Sequence, residues 1–392
     1  MCKKLKYGAV LGLLGLAGFE LIYRTRETKG IEIFKEHKIT WDKVSDNDSE
    51  QVFLSKVFFR NYSTKYQLTL VKFEIESKIL FKTKFYDDIK LDVSLTPKVE
   101  HVREDGYLHA FLMDEMSNFE TEVKASFSGN LERLKEVHAV VVKIKFQTYE
   151  RTGLHNKEKD LILVPYQEEL KQSYSELQEA GAKIYPVKTH LLSESDDIAE
   201  VIKKYAGDFI KPGDVVVMAE SPVAITQGRF KQPVNVKPSF LSKRLCYFVP
   251  SAGSLSSPFG MESALEQIGA VKFIYALIGG TIMKLLKKPG WFYTLAGIES
   301  ELIDDLTGTI APYDKYIVLG PANPQEVVDD LKNRLDVDFA IADANDLKKA
   351  RILASTLDDS SKIRQWLLNN PAGNSAEQTP IVIIRPDKTD EK

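Results

Sequence analysis

The hydrophobic period of this chain changes partway along its length, and that change limits the folds open to it more than any motif does. From 51 to about 146, apolar residues alternate with polar ones: Val52 and Leu54, Leu68 and Leu70, Phe73 and Ile75, Leu91 and Val93, then Val140, Val142, Ile144 and Phe146. A period of two puts every second side chain on one face, which is the pattern of half-buried strands. Polar clusters at 61–64, 86–88, 104–106 and 128–130 separate the runs. Strands at this spacing predict an antiparallel β-sandwich of about seven strands over residues 30–150.

Residues 151–160 are polar, contain Gly153 and read as a linker. From Leu161 the pattern becomes mixed: a strand at 161–164, a helix at 167–179, a strand at 182–187, a helix at 196–206 capped by Ser195, and a strand at 214–219. The stretch 268–286 is apolar but holds Lys272, Lys284 and Gly279-Gly280, so it reads as a buried helix pair rather than a membrane span. A final strand at 381–384 precedes a charged tail.

The start of the chain differs from the rest. Residues 7–23 carry one charge, Glu20, between Lys3, Lys4 and Lys6 on one side and Arg24 and Arg26 on the other. As a helix this run spans about 25 Å, a little under a bilayer core of about 30 Å. Flanking cations and tyrosines that snorkel would close the gap. The expectation is an uncleaved, single-pass membrane anchor within 1–28. A cleaved signal peptide and a buried or interfacial helix are the alternatives, and the Leu16–Glu20 segment is a poor cleavage site.

Composition excludes several classes. A formal charge of -3 without a dense Lys/Arg stripe argues against nucleic acid as a partner. Cys2 and Cys246 are too few for a disulfide framework or a thiolate zinc site. The six histidines make no H-E-x-x-H or H-x-x-H cluster, and no G-x-G-x-x-G, P-loop or G-x-S-x-G motif is present.

Chemistry is therefore expected at strand ends, where open α/β sheets bind ligands. Tyr316-Ile317-Val318-Leu319 reads as a strand and 324–335 as a helix, with Asn323 as cap, Pro324 in the first turn and Glu326 at the capping-box position. A second strand, 339–342, ends in Asp343-Ala344-Asn345-Asp346. Glu220 ends the strand at 215–219 and Asp314 precedes the strand at 316–319. Each acid also has an ordinary reading as a turn or surface residue. Asp196 and Asp197 suit the first turn of a helix without any functional role. Oxygen ligands without histidine or thiolate would favour Mg²⁺ or Mn²⁺.

Two resemblances add to this reading. The sandwich resembles the immunoglobulin-like or water-stress-type sandwiches found beside membranes. Tyr185-Pro186-Val187-Lys188-Thr189, Asp196-Asp197-Ile198-Ala199 and Gly213–Glu220 through Gln227-Gly228-Arg229 resemble the opening of the coenzyme factor-420-0: gamma-glutamyl ligase family. Ala340-Ile341-Ala342-Asp343 is similar to the strand carrying a metal-binding aspartate of that family, and Pro312-Tyr313-Asp314 falls where its other one lies. This resemblance covers 161–385. It implies a two-part α/β fold, usually dimeric, joining an amine to a carboxylate through an acyl phosphate with GTP and a divalent metal. Asp314 and Asp343 would then hold Mg²⁺ or Mn²⁺, and Glu220, Asn323, Asn345 and Asp346 would contact substrate or nucleotide. The sequence departs from the family pattern where Ala224-Ile225-Thr226 replaces a segment holding a lysine, and where no G-x-T-D-x-A-I-G segment follows Asp343.

The expected whole is a multidomain chain: an N-terminal transmembrane helix at 1–28, an antiparallel β-sandwich at 30–150 and a two-part α/β ligase-like domain at 161–385. As an enzyme it would be a membrane-anchored ligase, homodimeric by resemblance, using GTP or ATP and small carboxylate and amine substrates, with the ligase-like domain on the cytoplasmic face. As a non-catalytic protein it would be a ligase-like scaffold at the membrane.

Overall fold

The computed structural model describes residues 30–286 and 310–387, except 35–36, 48, 100–109, 168–169, 171–173, 249–253, 346–347 and 374–376, together with residues 12, 15, 16, 18 and 295. The anchor expected within 1–28 lies outside the described residues, save for those four. Among the described residues no single helix is long and apolar enough to cross a membrane.

The first half is an antiparallel sandwich of two sheets. Its strands are β1 (Ile31–Ile33), β2 (Asp42–Asp46), β3 (Glu50–Asn61), β4 (Leu68–Phe81), β5 (Ile89–Pro97), β6 (Phe111–Met113), β7 (Asn118–Gly129), β8 (Val137–Glu150) and β9 (Gly153–Leu163). One sheet has the order β1-β3-β7-β5 with β2 paired to β3, and the other has the order β6-β4-β8-β9. The two-residue period does what it predicts: Val57, Phe59, Val123, Phe127, Val142 and Ile144 point inward and share one core. Asn61 ends β3 as a buried turn organiser, its amide donating to the carbonyls of Tyr66, Met113 and Asp114 while its oxygen accepts from the Ser63 amide.

The expected linker at 151–160 is instead mostly strand. β9 pairs with β8 along its whole length, from Gly153 opposite Glu150 to Leu163 opposite Val140, and the sandwich extends to Leu163. Its polar residues misled because β9 has one solvent-facing side for much of its length, and Gly153, at φ 113°, supplies the hairpin turn.

The second half is built on a six-stranded mixed sheet. Its elements are β10 (Leu177–Glu179), β11 (Ala182–Val187), α1 (Ile198–Ala206), β12 (Val215–Ala219), α2 (Glu220–Thr226), β13 (Phe230–Lys231), α3 (Ser242–Leu245), α4 (Pro258–Ile268), α5 (Ala270–Leu285), β14 (Ile317–Val318), α6 (Pro324–Leu335), β15 (Asp338–Asn345), β16 (Lys349–Ser355), α7 (Ser361–Trp366) and β17 (Ile381–Pro386). The strand order is β10-β11-β17-β12-β15-β16. The C-terminal strand is thus central rather than peripheral. β12 and β15 are the parallel pair, and the other neighbours are antiparallel. α1 and α6 cover one face through Val201, Ile202, Val328 and Leu331, and α7 covers the other through Ile363 and Trp366.

Three local expectations change. No helix covers the described part of 167–179, because Leu177–Glu179 pairs with β11 through a two-residue hairpin in which Ala180 and Gly181 both take positive φ, 45° and 79°. α1 is capped by Asp197, whose side chain accepts from the Glu200 amide, and not by Ser195. The pair α4 and α5 exists, but only α4 is mainly buried; α5 turns away after Gly269 at 108° and leaves a large apolar face exposed.

The two halves share a core. Ala139 and Ile162 from the sandwich pack with Leu191, Ile225, Phe230 and Tyr313 from the α/β part. Polar contacts surround it: Lys38 Nζ donates to the Asp196 carbonyl at 2.6 Å, the Trp41 amide to Ser195 Oγ at 3.1 Å, and His138 Nε2 to the Ala311 carbonyl at 2.7 Å. Ser195 therefore serves the seam between the halves.

Candidate active site

The parallel pairing of β12 with β15 fixes where chemistry can gather. In register Val215 stands opposite Asp338 and Ala219 opposite Ala342. The next residues, Glu220 just past β12 and Asp343 near the end of β15, therefore stand where the parallel pairing stops, toward the carboxyl ends at which α/β sheets bind ligands. Glu220 is buried and begins α2, where a carboxylate suits the helix N-terminus. Asp343 is half-buried on β15, just after a register irregularity between Ile341 and Ala342. Such irregularities re-aim side chains near sites.

Two cations join these acids from β16. Arg351 is the cross-strand partner of Asp343, and Lys349 that of Asn345. Side chains opposite one another in an antiparallel pair share a face. A carboxylate and a guanidinium thus sit together at the strand ends, suited to orienting an anionic group. Sequence reasoning missed both cations. The alternating run Ala350, Ile352, Ala354 after Asn345 was the signal for a returning strand. Asp346 lies outside the described residues.

The turn before α6 forms a second wall. Gln227, just after α2, holds it with both ends of its amide: Nε2 donates to the Ala322 carbonyl at 3.0 Å and Oε1 accepts from the Ala322 amide at 2.7 Å. Arg229 donates through Nε to the Gly320 carbonyl at 2.6 Å and through a terminal nitrogen to Gln267 at 3.0 Å. These paired bonds define the path of Gly320-Pro321-Ala322-Asn323.

Asn323 does not cap α6. Its backbone is left-handed, φ 45° and ψ 54°, whereas a capping residue needs extended backbone to aim its side chain at the first amides. Its amide donates instead to Glu326 at 2.9 Å. Pro324 does occupy the first turn.

Asp314 stands apart from the strand ends of the main sheet. It lies in the short helical turn Tyr313–Lys315, with the Lys315 ammonium 3.6 Å away, before β14. β14 is not in the main sheet, as a strand-helix-strand unit would require, but forms a two-stranded ribbon with β13. Leu319 continues the ribbon by donating to the Arg229 carbonyl. Among the described residues no group of three His, Cys, Asp or Glu side chains is placed to hold a metal ion.

A different set of titratable groups is buried beneath α1. Asp196 accepts from His190 Nε2 at 2.9 Å and from the amide and hydroxyl of Ser193 at 2.7 and 3.0 Å, and the other His190 nitrogen meets the Tyr205 hydroxyl at 2.8 Å. Gln167 also donates to this carboxylate at 3.4 Å, and Asp196 fastens the loop before α1.

Residues 36–168 match the family model described as F420-0:gamma-glutamyl ligase, N-terminal Ig-like domain, and residues 186–342 match the model described as F420-0:Gamma-glutamyl ligase. The chain belongs to the F420-0:gamma-glutamyl ligase family. The match divides where the structure does, between sandwich and α/β part, and the ligase portion ends within β15 beside Asp343. No curated protein matches the chain. Among solved structures, the GAE domain of GGA2p from Saccharomyces cerevisiae is similar at 11% identity with a TM-score of 0.20, covering 34% of this chain and 97% of that one. The CupB6 tip adhesin from Pseudomonas aeruginosa is similar at 9% identity with a TM-score of 0.23, covering 34% of this chain and 50% of that one.

Proposed function

We propose that this chain is an amide-forming, gamma-glutamyl ligase-like enzyme that activates a small carboxylate with the phosphate of GTP or ATP. The observation that carries the proposal is the family match over both domains, together with Glu220 and Asp343 at the ends of the parallel strands. The carboxylate would take the terminal phosphoryl group and release the nucleoside diphosphate. The amine would then attack the acyl carbon and release phosphate. Arg351 and Lys349 supply positive charge for the phosphates, and Glu220 and Asn345 are positioned to contact substrate. Asn323 and the turn held by Gln227 would face the nucleotide.

Mg²⁺ is commonly held by one or two carboxylates plus substrate phosphates, so a three-ligand protein cage is not required. Asp343 fits that mode, with Asp346 close in sequence. Asp314, in a turn outside the main sheet, is the weaker ligand. A bound ion would neutralise phosphate charge. We further propose that residues 7–23 anchor the protein as a single pass, that the ligase-like domain faces the cytoplasm where nucleotides are, and that the chain forms a homodimer.

A scaffold at the membrane is the second reading. It is favoured by Ala224-Ile225-Thr226 in place of the family's lysine-bearing segment and by Asp314 standing in a turn outside the main sheet. Calorimetric titration of GTP and ATP with Mn²⁺ separates the two. The enzyme reading expects metal-dependent binding that Asp343→Asn weakens roughly thirtyfold, the equivalent of about 2 kcal/mol. Folded wild-type protein that binds neither nucleotide would favour the scaffold.

A further inference from the structure

Among the described residues, one apolar face of α5 is exposed. Val271 is 86% exposed, Tyr275 65%, Ile278 56% and Ile282 52%, and Ile274 is also open, while Phe273 and Ala276 on the opposite side pack into the core beside α4. Positions 271, 274, 275, 278 and 282 follow a helical repeat, so these side chains form one stripe. An exposed apolar patch of this kind marks an interaction site.

The charge pattern says what the stripe meets. Between Glu266 and Glu299 there is no acidic residue, while Lys272, Lys284, Lys287 and Lys288 fall in the same interval. A short element nearby repeats the combination. Phe240, Tyr247 and Phe248 are exposed around α3, with Lys243 and Arg244 between them, and the Arg244 guanidinium stacks over the Phe240 ring at 3.3 Å. The contacts of α3 with α4, and of α4 with α5, place both elements in one part of the molecule. The nearest acids are on α4, where Glu262 accepts from the Ser239 amide and Glu266 pairs with Lys231. Apolar side chains and aromatic rings with an excess of cations are what the interface of an anionic bilayer selects.

We propose that α5, with the aromatic and basic residues around α3, lies in the plane of a membrane surface and binds anionic lipid. It does not span. α4, on the other side of the 108° bend, is packed through Met261, Ala264 and Leu265, and α5 alone is 16 residues, about 24 Å. The contact is separate from any anchor at 7–23 and does not depend on the ligase reading. It would hold the α/β domain flat against the bilayer.

The test uses the full chain in a Cys2→Ser background, with an environment-sensitive fluorophore on Ile278→Cys, on Val271→Cys or, as a control on the sandwich, on Lys90→Cys. Buried Cys246 should not label. On phosphatidylglycerol vesicles the labels at 278 and 271 should shift to the blue and be quenched by brominated lipid, the control should not, and the shift should fall with salt or with phosphatidylcholine alone. Adding Ile274→Asp and Ile282→Asp should return the 271 label to its aqueous signal. Labels at 278 and 271 that stay as aqueous as the control would overturn the proposal. So would a lipid-free, concentration-dependent dimer that already buries them, because a second copy would then be the occupant.

Discussion

Tyr316 donates its hydroxyl to the buried carboxylate of Asp160, joining the α/β domain to the last strand of the sandwich. Gln232 donates to the same oxygen, and the Lys143 ammonium lies 3.5 Å from the other one. Burial raises the Tyr316 hydroxyl pKa, and the bond to Asp160 raises it further, so the phenol remains a donor far into alkali. Domain docking thus rests on a shared polar bond as well as on the apolar residues around Phe230.

Tyr316→Phe should cost about 1–3 kcal/mol, because Asp160 loses a donor in a dry setting. Urea denaturation at neutral pH checks the size. The sign with pH is separable. A phenol whose folded pKa is raised contributes stability that is complete below its unfolded value, about 10, and is lost as pH climbs toward the folded one. Wild type should therefore lose stability above about pH 10 more steeply than Tyr316→Phe. Equal alkaline slopes would show that Tyr316 is not held in this way.

Glu150 predicts an acid effect. Burial pushes its carboxyl up, but the hydrogen bond and charge of Lys157, with the Thr148 hydroxyl, outweigh it and hold the pKa below the usual value. Its Oε1 also accepts from the Ile31 amide at 3.2 Å, tying β1 to the end of β8. A lowered folded pKa gives stability that is present above the unfolded value, about 4.3, and lost as pH falls through the folded one. The difference in unfolding free energy between wild type and Glu150→Gln should be largest near neutrality and shrink below about pH 4. A constant difference from pH 7 to pH 3 would contradict it.

How far the sequence carried this fold depended on where each residue's partner lay. The alternation of β8 was legible because Val140, Val142 and Ile144 need only a single apolar face, and α6 was legible because Val328 and Leu331 recur on one side. β9 was not, since Leu154, Asn156 and Glu158 form its outer face and only the ladder with β8 reveals a strand. Leu177–Glu179 is strand because β11 lies beside it. At the candidate site Asp343 and Glu220 could be named from strand ends alone. Their adjacency needed the parallel register of β12 with β15, and Arg351 needed the antiparallel return of β16. Asn323 failed as a cap because a left-handed backbone is a property of the whole turn.

Asp196 and Asp197 read alike in the sequence, as first-turn acids, and the structure separates them. Asp196→Ala removes the acceptor of His190 and of the Ser193 amide and hydroxyl in a buried loop, so a loss of about 3 kcal/mol is expected, whereas Asp197→Ala removes a cap and a partly exposed ion pair with Arg334 and should cost about 1–2 kcal/mol. Thermal or chemical unfolding of the two variants checks the order. Asp197 proving the costlier loss would reverse the assignment of roles.

The clamp at Gln227 ties local structure to the proposed chemistry. Its amide satisfies both the N–H and the C=O of Ala322, a pair of bonds that no apolar side chain of similar length can supply. In Gln227→Met the volume stays but both backbone groups lose their partner, while Arg229 still holds the Gly320 carbonyl. The fold should therefore survive, with a cost of about 1–2 kcal/mol, and the turn should loosen locally. Hydrogen exchange should speed up at Ala322 and leave the amides of β12 and β15 protected. If this turn borders the nucleotide, as proposed, affinity for GTP or ATP should fall about tenfold, equivalent to about 1.4 kcal/mol, with the stoichiometry unchanged. Faster exchange at Ala322 with unchanged nucleotide affinity would leave the clamp intact as a structural element and move the nucleotide away from the start of α6, toward Arg351 and Lys349.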